Sequence, residues 1–510
     1  MPEIRQMSLL KEKKIKNILT IENLLLAFIV LCPILDISSF LFRKCFNTSI
    51  SISTILRPII PIIAAIYIFI KEKNKKTILI MGAVYITYAI CHLYVFYRIK
   101  TACAYGNEIR ELQYIINYTF MVMNLIIYWE FFALKNRDDE VKDEEKGRTV
   151  FKLRKCALVA LTVYIVSMFI SILTKTASYT YEETMTGYKG WFESGNSIGT
   201  IMLLLLCVVL PMLSKKYEAK YRIWTLMITI LTGVYLSTLL GTRVGLFGFL
   251  FVIIMFMIFS IIHSLAKKNK INKKIILASV IVIFVVGVVV TIFGSKTLER
   301  RKQLKSNEDL IYDPISQTTA HVTGDIMQIV LDVKDGKIDK SYMSEDMQQA
   351  YIKLYEIANK NNISNTNMRI LQFIYQSELV KIQNNIPILL FGNGYMTHFY
   401  EMIFEMEVPA FLYNFGFVGF FIYFVPFLLI AVYGVYVAIK NITQIEVEGL
   451  MAILGMWFAI IVSFVSGYTF FNSSSMMVII LLTILVINTV KDIDDEKIKI
   501  YNPKTYQERK

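Results

Sequence analysis

The chain reads as an all-α polytopic membrane protein with about 12 transmembrane helices. Three observations predict that class. Its 510 residues are 55% hydrophobic, the apolar residues fall in long runs, and short lysine-rich segments separate those runs. Only stretches of roughly 20 apolar residues cross a ~30 Å hydrocarbon core, so runs of that length are read as spans. The formal charge of +14 does not indicate nucleic acid, because the lysines gather in inter-span connections where the positive-inside rule places them.

Taken in order, residues 1–18, with "RQMSLLKEKKIK", form a cytoplasmic N-terminal segment leading into an uncleaved first span. Spans one to nine occupy 19–294, at about 19–42, 52–70, 77–97, 113–134, 156–174, 195–213, 222–240, 243–265 and 275–294. A large loop domain fills 295–409. Spans ten to twelve follow within 410–490, at about 410–438, 447–469 and 474–490, and 491–510 form a cytoplasmic tail. The connections "KEKNKK" (71–76), "KNRDDEVKDEEKGRTVFKLRK" (135–155), "SKKYEAKYR" (214–222) and "AKKNKINKK" (266–274) all fall on the side of both chain ends. That asymmetry predicts cytoplasmic termini and an extracellular loop domain. Residues 295–408 hold 12 Lys/Arg against 15 Asp/Glu, with no cationic excess. Within them "SEDMQQAYIKLYEIANK" (344–360) and "MRILQFIYQSELVKIQ" (368–383) space their apolar residues as helices do, which predicts a folded helical cap. Cys32, Cys91, Cys156 and Cys207 lie in or beside apolar runs and read as packing residues, while Cys45 and Cys103 both face outside and could pair.

A charge within a span is costly unless paired or hydrated, which makes each one a functional candidate. Arg57, in "STILRPIIP", lies about one turn into the second span, and Asp36 could partner it. Arg243 sits in "LSTLLGTRVGLFGFLFV", where "GTR" is a tight outer turn between two runs too long for one span; the bland alternative is an interfacial anchor. "GYKGWFESGNSIGT" puts Lys189, Trp191, Glu193 and Asn196 on the same side, with Trp191 an interfacial residue and Asn196 a possible helix cap. In "HFYEMIFEMEVP", a helix over 396–408 that stops before Pro409 would bring His398, Glu401 and Glu405 to one face, with Glu407 pointing elsewhere. Such a face suits general-base chemistry on an anionic substrate or a divalent ion, or it is merely an amphipathic interfacial helix.

Three separated stretches together resemble the O-antigen ligase and polymerase superfamily, and within it the Gram-positive-type polysaccharide polymerases. They are "STLLGTRVGLFG" with Arg243, "SNTNMRILQFIY" followed by "PILLFGNG" with Arg369, Gly392 and Gly394, and "FEMEVPAFLYNFGFVGF" with Gly416 and Gly419. "KGWFESGNSIGTIMLLLLCVVLP" is similar to the Gram-positive branch, with its Asn at the start of a helix. One departure is informative. Where ligases carry a histidine eleven residues before the first glycine of Gly-x-x-Gly, this chain has Glu405, which favours a polymerase over a lipid A ligase.

The resemblance implies a GT-C-like membrane glycosyltransferase that takes undecaprenyl-diphosphate-linked oligosaccharide and builds a surface or capsular polysaccharide. It implies catalytic roles for Glu405, Arg243 and Arg369. Substrate contacts are expected from Arg57, Asn196, Lys189, His398, Glu401, Gly392 and Gly394. No cofactor or metal is expected, because a diphosphate leaving group is already activated. The expected partners are the lipid-linked donor, a glycan acceptor and the bilayer, with a flippase and a chain-length regulator as candidates and no nucleic acid. The site would face outside the cell membrane. A flippase or secondary transporter for the same lipids is the alternative reading, and a sensor with a ligand-binding cap is another.

Overall fold

The computed structural model describes residues 20–46, 52–71, 75–100, 108–133, 139–182, 184–267, 273–310, 322, 324–340, 342–364, 367–394 and 402–501. The membrane helices are α1 (Ile21–Phe46), α2 (Ile52–Lys71), α3 (Lys75–Lys100), α4 (Glu108–Phe132) and α5 (Asp139–Leu173), then α6 (Gly195–Val209), α7 (Ala219–Val234), α8 (Arg243–Ala266) and α9 (Lys273–Phe293). Beyond them come α10 (Lys296–Leu310), α11 (Gly324–Lys334), α12 (Glu345–Lys360), α13 (Met368–Gln383) and α14 (Ile386–Phe391). The chain closes with α15 (Glu407–Asn414), α16 (Gly416–Tyr423), α17 (Val425–Lys440), α18 (Val447–Val465) and α19 (Ser473–Tyr501).

Among the described residues, ten helices are long and apolar enough to cross a bilayer, and the bent pair α16–α17 makes an eleventh. The expected second span is present as α2, twenty residues with Pro58 and Pro61 inside it, but it is not one of those ten. The bundle is layered by hydrophobicity. α6 is apolar all round, so it has no face suited to water and goes to the centre, packed by α5, α8, α18 and α19. Its apolar window is 89% buried, as is that of α19, whereas α3 and α9 are only 22% buried and turn their apolar side chains outward.

Two expectations about the tenth span need correction. Residues 410–438 do not form one helix: α15 ends at Asn414, Gly416 takes φ +68°, and α16 meets α17 at 49°. Glycine supplies the left-handed turn, and Pro426 at the start of α17 removes an N–H that a continuous helix would use. Nor does Pro409 stop a helix. Residues 402–406 are irregular, and Pro409 sits in the first turn of α15, where a missing N–H costs nothing because the first four have no intrahelical partner.

A second hydrophobic core lies in the loop. Val330, Met347, Tyr351, Leu354, Leu371 and Tyr375 pack α11, α12 and α13 together, so the two segments with helical spacing do form helices. Among the described residues the all-α pattern has one exception, an antiparallel hairpin of β1 (Ser178–Tyr181) and β2 (Thr186–Gly190) that pairs Tyr179 with Tyr188 and Tyr181 with Thr186.

Candidate functional site

The α7–α8 turn is built to expose a cation at a helix N-terminus. α7 ends in a π-turn, Tyr235–Leu239, a distortion often found at functional sites. Gly241 then takes φ +85°, and the Thr242 side chain accepts from the Gly245 N–H at 3.1 Å, capping α8. Arg243 is therefore the first residue of α8; it is exposed and forms no ion pair with any described residue. The hairpin rests on this turn. Thr180 Oγ1 donates to the Leu240 carbonyl at 2.7 Å and Tyr235 Oη donates to that of Tyr188 at 2.8 Å. α10 docks there too, through Ser295 to Ser237 O at 2.7 Å and Thr297 to Thr242 O at 3.2 Å.

These contacts deliver Tyr181 and Arg300 to the site. The Arg300 guanidinium lies 4.7 Å above the Tyr181 ring, and its buried Nε has no hydrogen-bond partner among the described residues. Burial pushes the Tyr181 hydroxyl above its usual range, opposed by the nearby charges of Arg300, Arg243 and Arg369 and reinforced by Glu405. Tyr181 thus stands within electrostatic reach of three guanidinium groups and one carboxylate. Sequence reading missed Tyr181 and Arg300. A signal for Arg300 existed, since "ERRK" (299–302) breaks the lysine-poor pattern of its side of the bundle.

The opposite wall comes from α13 and the segment before α15. Arg369 Nε donates to Glu405 Oε2 at 2.9 Å, with both side chains 37% exposed. Two contacts hold Glu405 itself. Gln372 Oε1 accepts from its backbone N–H at 3.1 Å, and its carbonyl lies so close to Gly467 that any Cβ there would clash. Glu407 is wholly buried and accepts from the N–H groups of Thr469, Phe470 and Phe471 at 2.6, 2.8 and 2.7 Å. Burial pushes its carboxyl up to about 7, against the pull of those donors. The sequence contains no hint of that clamp.

The glycines meet each other. Asn393 and Gly394 donate their N–H groups to the carbonyls of Tyr413 and Asn414, both at 3.1 Å. A Cβ on Gly392 would lie 2.1 Å from Asn414 O, and one on Gly416 2.4 Å from Gly392 N. α3 holds the crossover: Tyr88 donates to Phe415 O at 2.8 Å, while His92 contacts Phe391 O at 2.5 Å and Glu111 at 2.8 Å.

The remaining candidates are scattered around this centre. Arg57 is engaged by Asp36 at 2.6 Å, Ser53 at 2.7 Å, Ser474 at 2.9 Å and Ser473, with Tyr164 on the other Asp36 oxygen. Lys189, on β2, pairs with Glu182 at 3.0 Å. Asn196 does not cap α6; Ser194 does. His398 and Glu401 lie outside the described residues, and with them the divalent-ion alternative and the shared face with Glu405. Cys103 lies outside them as well, and so does its pairing with Cys45.

A bundle of apolar helices carrying three arginines and one carboxylate at a single end, beneath a helical cap, defines a polytopic membrane protein with a cationic cluster at one end of the bundle. The chain belongs to the family of O-antigen ligase like membrane proteins, whose family model matches residues 19–492. Comparison with curated proteins and with solved structures gives no match. Membership makes the protein a membrane enzyme of glycan polymerisation or ligation.

Proposed function

We propose that the protein is a polysaccharide polymerase that transfers glycan from a polyprenyl diphosphate carrier to the hydroxyl of an acceptor glycan at the outer face of the cell membrane. The observation that carries this reading is the set Arg243, Arg300, Arg369 and Glu405 around Tyr181. Three cations facing one carboxylate leave an excess of positive charge, and guanidinium groups bind diphosphate oxygens through bidentate, charge-assisted hydrogen bonds. As the sugar–phosphate bond breaks, its electron pair stays on the diphosphate, and the arginines stabilise that growing charge. Glu405 takes the proton of the acceptor hydroxyl, whose oxygen forms the new bond to the anomeric carbon from the opposite side, inverting it. Arg369 links the two tasks, since it holds Glu405 until the diphosphate competes for it. Glu405, in place of a ligase histidine, supports polymerisation over ligation. A metal has no necessary part, because the leaving group is already activated and the arginines neutralise it.

The test is purified protein in lipid nanodiscs with a polyprenyl-diphosphate oligosaccharide, with and without chelator. A ladder of glycan lengths under both conditions is expected. Transport of the intact lipid across a bilayer with no new glycosidic bond would establish the flippase reading instead.

A further inference from the structure

Along α13, Phe373, Ser377 and Val380 follow Arg369 at i+4, i+8 and i+11, so they continue the face that carries its guanidinium. That face forms one wall of a largely apolar cleft of about 520 Å³, completed by Leu389, Leu412, Tyr413 and Phe417. Its size falls within the roughly 300–1,000 Å³ of small-molecule sites. Tyr413 joins the walls, with its hydroxyl 2.9 Å from Ser377 Oγ and its ring 5.5 Å from that of Phe404, the residue before Glu405. The cleft and the Arg369–Glu405 pair therefore share one segment of chain.

Two features say what fills it. Leu389 and Phe417 are 43% and 47% exposed, and Phe421, one turn further along the bent span, is 61% exposed, so the cleft runs into the apolar surface of the bundle. Charge then sets direction. At the far end Lys381 is neutralised by Glu378 at 2.6 Å, whereas the Arg369 end has three arginines to one carboxylate. We propose that this cleft seats the first isoprenoid units of the donor's polyprenyl chain, with the diphosphate at the Arg369 end. The proposal rests on the reading given under Proposed function.

The test uses the full chain in nanodiscs and a sugar-free polyprenyl diphosphate bearing a diazirine near its diphosphate, with labelled peptides mapped by mass spectrometry. Label in 373–381 or 412–417 is expected, displaced by unlabelled polyprenyl diphosphate and not by phosphatidylglycerol. Ile374 also lines the cleft; Ile374→Trp, which fills it, and Leu389→Gln, which makes it polar, should each reduce that label. Both should raise KM for a long-chain donor on the order of tenfold at unchanged kcat, and raise it less for a donor on a single five-carbon unit, which fills only the mouth of the cleft. Absence of label from the cleft overturns the proposal whether or not glycan grows, and equal displacement by phosphatidylglycerol overturns it in favour of a bilayer lipid. Label here without any sugar transfer keeps the cleft as a polyprenyl site and overturns only the polymerase reading.

Discussion

At the scale of single residues, the site makes charge and geometry separable. Arg243 opens α8 with its guanidinium exposed, and a lysine there keeps the charge but loses the planar fork. Arg243→Lys should reduce polymer formation in membranes by roughly a hundredfold at normal expression; full-length polymer would remove Arg243 from the mechanism. Glu405→Gln should insert and fold, since its side chain is partly exposed and only one ion pair is lost, yet cost transfer about 10²–10⁴-fold. Wild-type turnover would assign the base elsewhere. Glu407 affects stability instead. The folded chain holds its proton more tightly than an ordinary carboxyl at 4.5, so its contribution is complete below that pH and is lost as pH rises through about 7. Glu407→Gln turns an amide toward one of three N–H donors. It should cost about 1–3 kcal/mol and flatten the pH dependence of thermal unfolding, measured by intrinsic fluorescence.

At the scale of elements, regular periodicity was readable and its interruptions were not. The helices at 345–360 and 368–383 were legible because their apolar spacing serves a core of their own. The "GTR" turn was legible because two long apolar runs cannot form one span. Of the helix expected over 396–408, the described residues 402–406 are irregular, and Pro409, read as a stop, belongs to the first turn of α15. The break at Gly416 was hidden in an unbroken greasy run, since what presses against it is the distant backbone of Leu390 and Gly392. The hairpin was hidden too, because strands of four and five residues carry little pattern and are held by contacts to Leu240 and Tyr235. Gly392→Ala should therefore destabilise the protein by at least ~2 kcal/mol, as its φ of +85° and the contact with Asn414 both exclude a methyl group. Gly82→Ala, in α3 with nothing within 4 Å, should be neutral or slightly stabilising. Thermal unfolding of the two side by side checks the contrast.

At the scale of the whole molecule, the hairpin, the α7–α8 turn, the cap and Glu405 gather at one end, while Arg154 inside α5, Lys216 and Glu448 cluster toward the other. The lysine distribution predicts that the first end is extracellular, which the proposed function requires. In a cysteine-free background, Lys337→Cys should react with an impermeant maleimide on intact cells, and Lys215→Cys only after lysis. The reverse pattern would place the arginines in the cytoplasm and end the outer-face mechanism.

The cap is tied to the broken span where Asn393 and Gly394 bond to the carbonyls of Tyr413 and Asn414. On the proposed reading, a lipid-borne donor reaches the arginines sideways, along the cleft that opens beside Phe417. For such an enzyme, supply is two-dimensional. Its rate follows the mole fraction of carrier in the bilayer and not the bulk concentration, and crowding in the membrane plane becomes a control on how fast polysaccharide is made.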